Sequence, residues 1–364
     1  MNRLCLRLLL AALSSVSLLV VLELGLRVYD YANGKGFFWD DSRNPLSRQY
    51  RPVVPFRTFG PELYGTERGR RVIKTSHGEV YPFDKPAGTT RIVCLGGSTT
   101  FNTAEGLHYP RVVQDLLRRR VGRESIEVLN EGYPSYATPH LLILLELDVV
   151  AWHPDVVIIT ENVNDLTASY FPHFTFDYSN KYSDPFYAGP DYQSLYPPMN
   201  VVFRHSKLYW FLLTRWQAYQ TKADLTRRIR RRSYGVTPDR EASAVFERNL
   251  RTLVAVARLN DITPVLATQP LEPSEEYFQR FEDFKPYNGA AIYPLHEEFV
   301  AHHTAYNAII RRVATDTGTL CIDNAAALGG RREYLADVVH YTRAGIERLS
   351  ANVAETLVAN HVVQ

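Results

Sequence analysis

A serine follows two glycines at Leu95-Gly96-Gly97-Ser98. The glycines let the chain turn sharply and leave the hydroxyl accessible. Far downstream stands an Asp-x-x-His pair, Asp337-Val338-Val339-His340. A serine hydroxyl is a poor nucleophile until a base takes its proton. Histidine can take it near neutral pH, and a carboxylate three residues earlier can reach the other ring nitrogen. Two more polar clusters lie between, Asn130-Glu131-Gly132-Tyr133-Pro134 and Glu161-Asn162-Val163-Asn164-Asp165. Singly, each has a plain structural reading. Ser98 could sit in a turn or cap a helix, Asn164-Asp165 could cap another, and a lone histidine is usually structural. Together, and in this order, they form a set suited to nucleophilic chemistry.

The elements that must position these residues alternate. Short apolar runs at Ile92–Leu95, Ile126–Leu129, Val156–Thr160, Pro264–Thr268 and Leu320–Asp323 read as buried strands. Helical patterns lie between and after them, at Tyr109–Arg120, Leu141–Trp152, 241–258, 295–316 and 343–359. Buried runs separated by helices predict a parallel sheet covered on both faces. The expected fold is an α/β three-layer sandwich, α/β/α, around a five-stranded, mainly parallel sheet. Sheets of this kind place their sites beyond the carboxyl ends of the strands. Three of the four polar clusters directly follow an apolar run, and the fourth precedes the final helical pattern.

These clusters resemble the blocks of the SGNH hydrolases, the GDSL esterase/lipase superfamily, over about residues 90–360. The resemblance makes Ser98 the nucleophile, and Asp337 and His340 the acid and base. It makes the Gly132 N–H and the Asn164 side-chain amide the donors that hold the oxyanion, alongside the Ser98 N–H. Two positions depart from the family pattern: Gly97 replaces the aspartate of Gly-Asp-Ser, and Asn162 replaces the glycine of Gly-x-Asn-Asp. Both read as subgroup variation. The general Gly-x-Ser-x-Gly elbow does not fit, because Thr100 holds the last glycine position.

The roles so implied describe acyl transfer. Attack on an ester puts negative charge on oxygen, and the acyl group then rests on Ser98. Water would release it in a hydrolase, and a sugar or other hydroxyl would accept it in a transferase. No metal or organic cofactor is needed. The leading expectation is a membrane-anchored esterase outside the cytoplasm, acting on acyl (chiefly acetyl) esters of a glycan or lipid. An O-acyltransferase that acetylates an envelope or exported polysaccharide is the alternative. A binding or scaffold protein on an inactive copy of the fold is third, and retention of Ser98 and His340 weighs against it.

The first residues read as an address. Arg3 and Arg7 precede an apolar run, and the 23 residues Leu4–Leu26 are interrupted only by Arg7 and Glu23. About 20 apolar residues span a bilayer. No small-residue cleavage site follows Val21, so an uncleaved anchor is expected over a removed signal peptide. The basic flank places the N-terminus in the cytoplasm and the body outside, in a bacterial periplasm. The expected organisation is an anchor at 1–29, an irregular approach segment at 30–89 with a hairpin near Arg71–Tyr81, and a catalytic domain at 90–364. An insertion at 166–240 interrupts that domain.

Residues 166–220 hold 16 aromatics and five prolines. The segment reads equally as a surface excursion or as a cleft wall, and His173 and His205 within it could touch substrate. Gln269, after the fourth strand, is a further candidate for substrate contact. Asp165 is expected to brace the turn that aims Asn164. The run Arg227-Arg228-Ile229-Arg230-Arg231-Arg232 reads as a solvated helix end or a contact for anionic lipid or glycan. Cysteines 5, 94 and 321 lack the spacing of a zinc site or a disulfide framework. Outside residues 1–27 the chain carries 38 basic and 38 acidic residues, which argues against a nucleic-acid partner.

Overall fold

A computed structural model describes residues 3–33, 37, 64–182, 206–209, 211–212, 215–216, 219, 233–281 and 292–364. His205 and the Arg227–Arg232 run lie outside these residues, as does much of the aromatic insertion. The chain divides into two compact units. One comprises residues 1–51 and 188–230, the other 52–187 and 231–364. This division groups 52–89 with the sheet domain and part of the insertion with the N-terminal segment.

In the larger unit, five parallel strands form the central sheet. They are β4 (Thr90–Gly96), β5 (Ile126–Gly132), β6 (Val156–Thr160), β8 (Thr263–Ala267) and β10 (Leu320–Ile322), in the order β10-β8-β6-β4-β5. The first four are buried nearly throughout, which is why each reads as an apolar run rather than an alternating one, and the short edge strand β10 is only partly buried. Side chains alternate between faces. Ile92, Cys94, Ile126, Val128, Val156 and Ile158 join a core with Val113 and Leu117 of α3 (Tyr109–Val121). The same core takes Ile346, Leu349, Val353 and Leu357 of α11 (Arg343–Ala359). The other face buries Val93, Leu95, Val157 and Ile159. It is covered by α4 (Thr138–Leu147), α7 (Ala242–Leu259) and α9 (His296–Thr317).

Local sequence sets the helix ends. Helix α3 has a proline in its first turn and ends at Gly122, whose φ of +69° closes the helix on the Arg118 carbonyl. Thr342 caps α11 by accepting the Gly345 N–H at 3.1 Å. The helix expected at Leu141–Trp152 is shifted. It begins at Thr138, with Pro139 in its first turn, and stops at Leu147, and a separate 3-10 turn covers Val149–Trp152.

The approach segment is more regular than its composition suggests. β1 (Tyr64–Glu67), β2 (Arg70–Lys74) and β3 (Val80–Pro82) form an antiparallel sheet. Fully buried Arg91 ties it to β4. Its guanidinium donates to the Pro82, Phe83 and Trp152 carbonyls and pairs with Glu127 at 2.8 Å.

The smaller unit is built on α1 (Arg3–Ala32). Its apolar window has a mean hydropathy of 2.3, long and apolar enough to cross a membrane. The Glu23 carboxylate accepts the N–H groups of Lys207 and Leu208 and the hydroxyl of Ser206. Lys207 also pairs with Asp30 at 2.9 Å.

Candidate active site

Ser98 opens the short helix α2 (Ser98–Phe101), one residue past β4 and Gly97. Its Oγ lies 2.8 Å from His340 Nε2. The other ring nitrogen, Nδ1, lies 2.7 Å from Asp337 Oδ2. An ionised carboxylate can only accept, so the ring hydrogen sits on Nδ1 and Nε2 is left to accept from the serine. The second carboxylate oxygen, Oδ1, accepts the N–H groups of Val339 and His340 at 2.9 and 2.8 Å. Burial raises the Asp337 carboxyl. The hydrogen bond and charge of the His340 ring, with the two backbone donors, outweigh burial and hold it below its ordinary value.

Asn102 fastens the two loops together. Its side chain accepts the Tyr341 N–H at 3.1 Å and donates to the Tyr341 carbonyl at 3.3 Å. It stands four residues after the serine, and nothing in its local sequence marks it.

Asn164 lies on the first turn of α5 (Val163–Ser169). Its amide donates to the Tyr136 carbonyl at 2.7 Å. A β-carbon on Gly97 would fall 2.3 Å from that amide nitrogen, so the amide lies directly against the peptide that precedes Ser98. Beside it, Glu161 accepts the N–H groups of Asn162 and Asn164 at 3.0 and 3.3 Å. Burial, reinforced by the charge of Asp165, pushes the Glu161 carboxyl up. Asp165 is buried too, and it accepts the N–H and the hydroxyl of Thr138 at the start of α4.

Gly132 does not fit the donor role expected of it. Its N–H is taken by Asn130 Oδ1 at 3.0 Å. A β-carbon there would lie 2.4 Å from the Phe101 nitrogen, so this glycine permits close packing of β5 against α2. The free donor of that loop is three residues on. Tyr133-Pro134-Ser135-Tyr136 closes a turn, with the Tyr136 N–H on the Tyr133 carbonyl at 3.1 Å. Ser135 takes φ of +64°, and among the described residues its N–H has no acceptor. Proline in the second position of a turn and a left-handed third residue are a type II signature. That signature is the sequence signal that could have pointed to Ser135. The turn is held to the nucleophile loop by the Tyr133 N–H on the Gly96 carbonyl at 3.1 Å.

The sequence profile of the GDSL-like lipase/acylhydrolase family matches residues 94–348. The chain belongs to that family. For this GDSL-family protein the supported activity is therefore ester hydrolysis. No curated protein matches the chain. Among solved structures, it is similar to the lipase/acylhydrolase from Enterococcus faecalis at 19% identity, covering 75% of this chain and 97% of that one, with a TM-score of 0.44. It is similar to Axe2, an acetylxylan esterase from Geobacillus stearothermophilus, at 17% identity, with coverage of 75% and 96% and a TM-score of 0.44. A GDSL-like lipase from Bacteroides thetaiotaomicron is 14% identical, with coverage of 76% and 92% and a TM-score of 0.42.

The remaining candidates of the GDSL-family chain are not gathered at the serine in the same way. Gln269 is buried and turned inward. It accepts the Val163 N–H at 3.0 Å and donates to Thr99 Oγ1 at 3.1 Å, so it braces the loops instead of facing substrate. His173 is exposed in the turn after α5, with φ of +56°. His303 is buried near Gln269, and burial pushes it down to about 3, which keeps it neutral. Among the described residues, no group of His, Cys, Asp or Glu is placed to hold a metal ion.

Asn164→Ala removes the side-chain donor while leaving Ser98, His340 and Asp337 in place. Steady-state kinetics on an aryl ester should give kcat lower by about 10² with KM little changed. An equal rise in KM would place the amide in substrate binding instead.

Proposed function

We propose that this protein is a serine esterase working through an acyl-serine intermediate. The observation that carries the proposal is the continuous chain Ser98 Oγ–His340 Nε2 and His340 Nδ1–Asp337 Oδ2, at 2.8 and 2.7 Å. Ser98 Oγ attacks the ester carbonyl carbon, and its proton passes to His340 Nε2. Asp337 stabilises the imidazolium that forms. The N–H groups of Ser98 and Ser135 and the Asn164 amide hold the oxyanion. Collapse breaks the bond to the leaving alkoxide, which takes the proton from His340. Water then repeats the sequence, with His340 as its base, and frees the acid.

The substrate class proposed is an acyl, chiefly acetyl, ester of a glycan or lipid. The helix α1 supports an anchored protein with its catalytic unit outside the cytoplasm, since Arg3 and Arg7 flank the apolar run on its N-terminal side.

The test incubates the full-length protein with p-nitrophenyl esters from acetate to palmitate, and separately with a fluorophosphonate probe followed by peptide mapping. Turnover in water together with a phosphonyl adduct on Ser98 is the expected result. Turnover without an adduct on Ser98 would refute the serine mechanism. An adduct with turnover only when a sugar acceptor is added would replace hydrolysis with acyl transfer.

A further inference from the structure

The aromatic insertion begins with a segment that reaches back under the proposed oxyanion site. After α5 the chain turns at Tyr178, φ +62°, into the short helix α6 (Ser179–Tyr182). Asn180 secures α6 by donating to the Ala168 and Phe171 carbonyls at 3.1 and 3.2 Å. The next two side chains are almost completely buried, Lys181 at 0% and Tyr182 at 1% exposure. Their polar ends meet the two elements that carry the donors. The Tyr182 hydroxyl donates to the Ser135 carbonyl at 2.5 Å. Lys181 Nζ donates to the Asn164 carbonyl at 3.3 Å and to Thr167 Oγ1.

A fully buried ammonium is costly unless it is paired and hydrogen-bonded. The nearby Asp165 charge and the two acceptors on α5 supply what Lys181 needs. A left-handed serine is likewise disfavoured and persists where its surroundings hold it. Three contacts bear on Ser135 and its neighbour: the Tyr182 hydroxyl on the Ser135 carbonyl, the Asn164 amide on the Tyr136 carbonyl, and the packed rings of Tyr136, His140 and Tyr182. Lys181 and Tyr182 act on the backbone of the two donor turns, so neither needs to touch substrate to matter.

We propose that Tyr182 and Lys181 are positioning residues of the acyl-transfer site, through which the insertion holds the Ser135 turn and the Asn164 turn at the spacing the oxyanion requires. The inference rests on the serine esterase reading. The described start of the insertion, residues 166–182, is thus a structural part of the catalytic centre.

The test follows fluorophosphonate labelling of the full-length protein, which needs no knowledge of the natural ester. In that reaction Ser98 Oγ bonds to phosphorus, the P–F bond breaks, fluoride leaves, and the serine proton goes to His340. The phosphonyl oxygen occupies the oxyanion position. The limiting rate and the half-saturating probe concentration are measured for wild type, Tyr182→Phe, Lys181→Met and Ser98→Ala, with thermal unfolding of each. Tyr182→Phe should lower the limiting rate by about 10- to 100-fold at unchanged half-saturation and with its unfolding transition retained. Lys181→Met should lower the rate in the same sense. A wild-type limiting rate in Tyr182→Phe would overturn the inference. So would a loss of rate that only follows the fraction unfolded. Labelling that survives Ser98→Ala, or a wild type that does not label, would overturn the esterase reading and this inference with it. A Ser98-dependent reaction indifferent to Tyr182 would overturn this inference alone.

Discussion

Asp337→Asn lowers kcat for ester cleavage by about 10⁴, with KM little changed and the fold intact. The magnitude follows from which proton the asparagine imposes. In the native loop one carboxylate oxygen accepts the Val339 and His340 N–H groups, and the other faces His340 Nδ1. An asparagine must keep its carbonyl oxygen toward the two backbone donors, so its NH₂ faces the ring. Nδ1 then has to accept, the ring hydrogen moves to Nε2, and that nitrogen donates to the serine oxygen and can no longer take its proton. Steady-state kinetics measure the loss, and a wild-type kcat in this variant would remove Asp337 from the mechanism. The same substitution carries a pH signature. The folded-state pKa of Asp337 lies below its unfolded value, so the carboxylate contributes stability above the unfolded value near 3.8. That contribution is lost as pH falls through the folded value. Urea unfolding below about pH 4 should therefore fall off more in wild type than in Asp337→Asn.

Gly97→Ala should lower kcat by on the order of 10³, because one methyl displaces the Asn164 amide and the Tyr136 carbonyl that holds it. Its β-carbon would stand 2.3 Å from the Asn164 amide nitrogen, 2.7 Å from Glu161 Oε2 and 2.9 Å from the Tyr136 carbonyl. None of these can withdraw freely. The amide is bonded to that same carbonyl, and Glu161 is held by two backbone N–H groups. Overpacking of this kind costs about 1–3 kcal/mol of stability. Chemical denaturation and kinetics on one preparation would separate the two effects. Unchanged kcat would mean that the loop tolerates movement the packing does not suggest. Gly97→Asp, which restores the family's residue, should be worse than Gly97→Ala, since it adds a carboxylate beside buried Glu161.

The sequence made some parts of this molecule legible and concealed others for identifiable reasons. The five strands are visible because both faces of the sheet are covered, which leaves contiguous runs such as Val156–Thr160. Asp337 and His340 could be paired on paper because three residues separate them. The donor beside them could not be read in the same way. Gly132 looks available until Asn130, two residues back, is seen to take its N–H. Ser135 is marked only by a proline turn, and its neighbours fix its left-handed backbone. Gln269 follows a strand as site residues do, but its partners Thr99 and Val163 lie 170 and 106 positions away. The helix expected at Leu141–Trp152 begins three residues earlier because Thr138 is capped by Asp165, 27 positions downstream.

The Ser98–His340 hydrogen bond joins residues 242 positions apart. Between them lie four of the five central strands, β5, β6, β8 and β10, of which β5 pairs directly with β4. A nascent or refolding chain can complete the first strand pair and α2 with no base near its serine. Non-local parallel pairing is slow to form, because loop-closure entropy must be overcome before the contacts reward it. Recovery of activity would then be among the last signals of refolding, after most of the secondary structure has returned. A partly folded chain would hold the nucleophile without the means to activate it, so folding itself delays reactivity until the protein is complete.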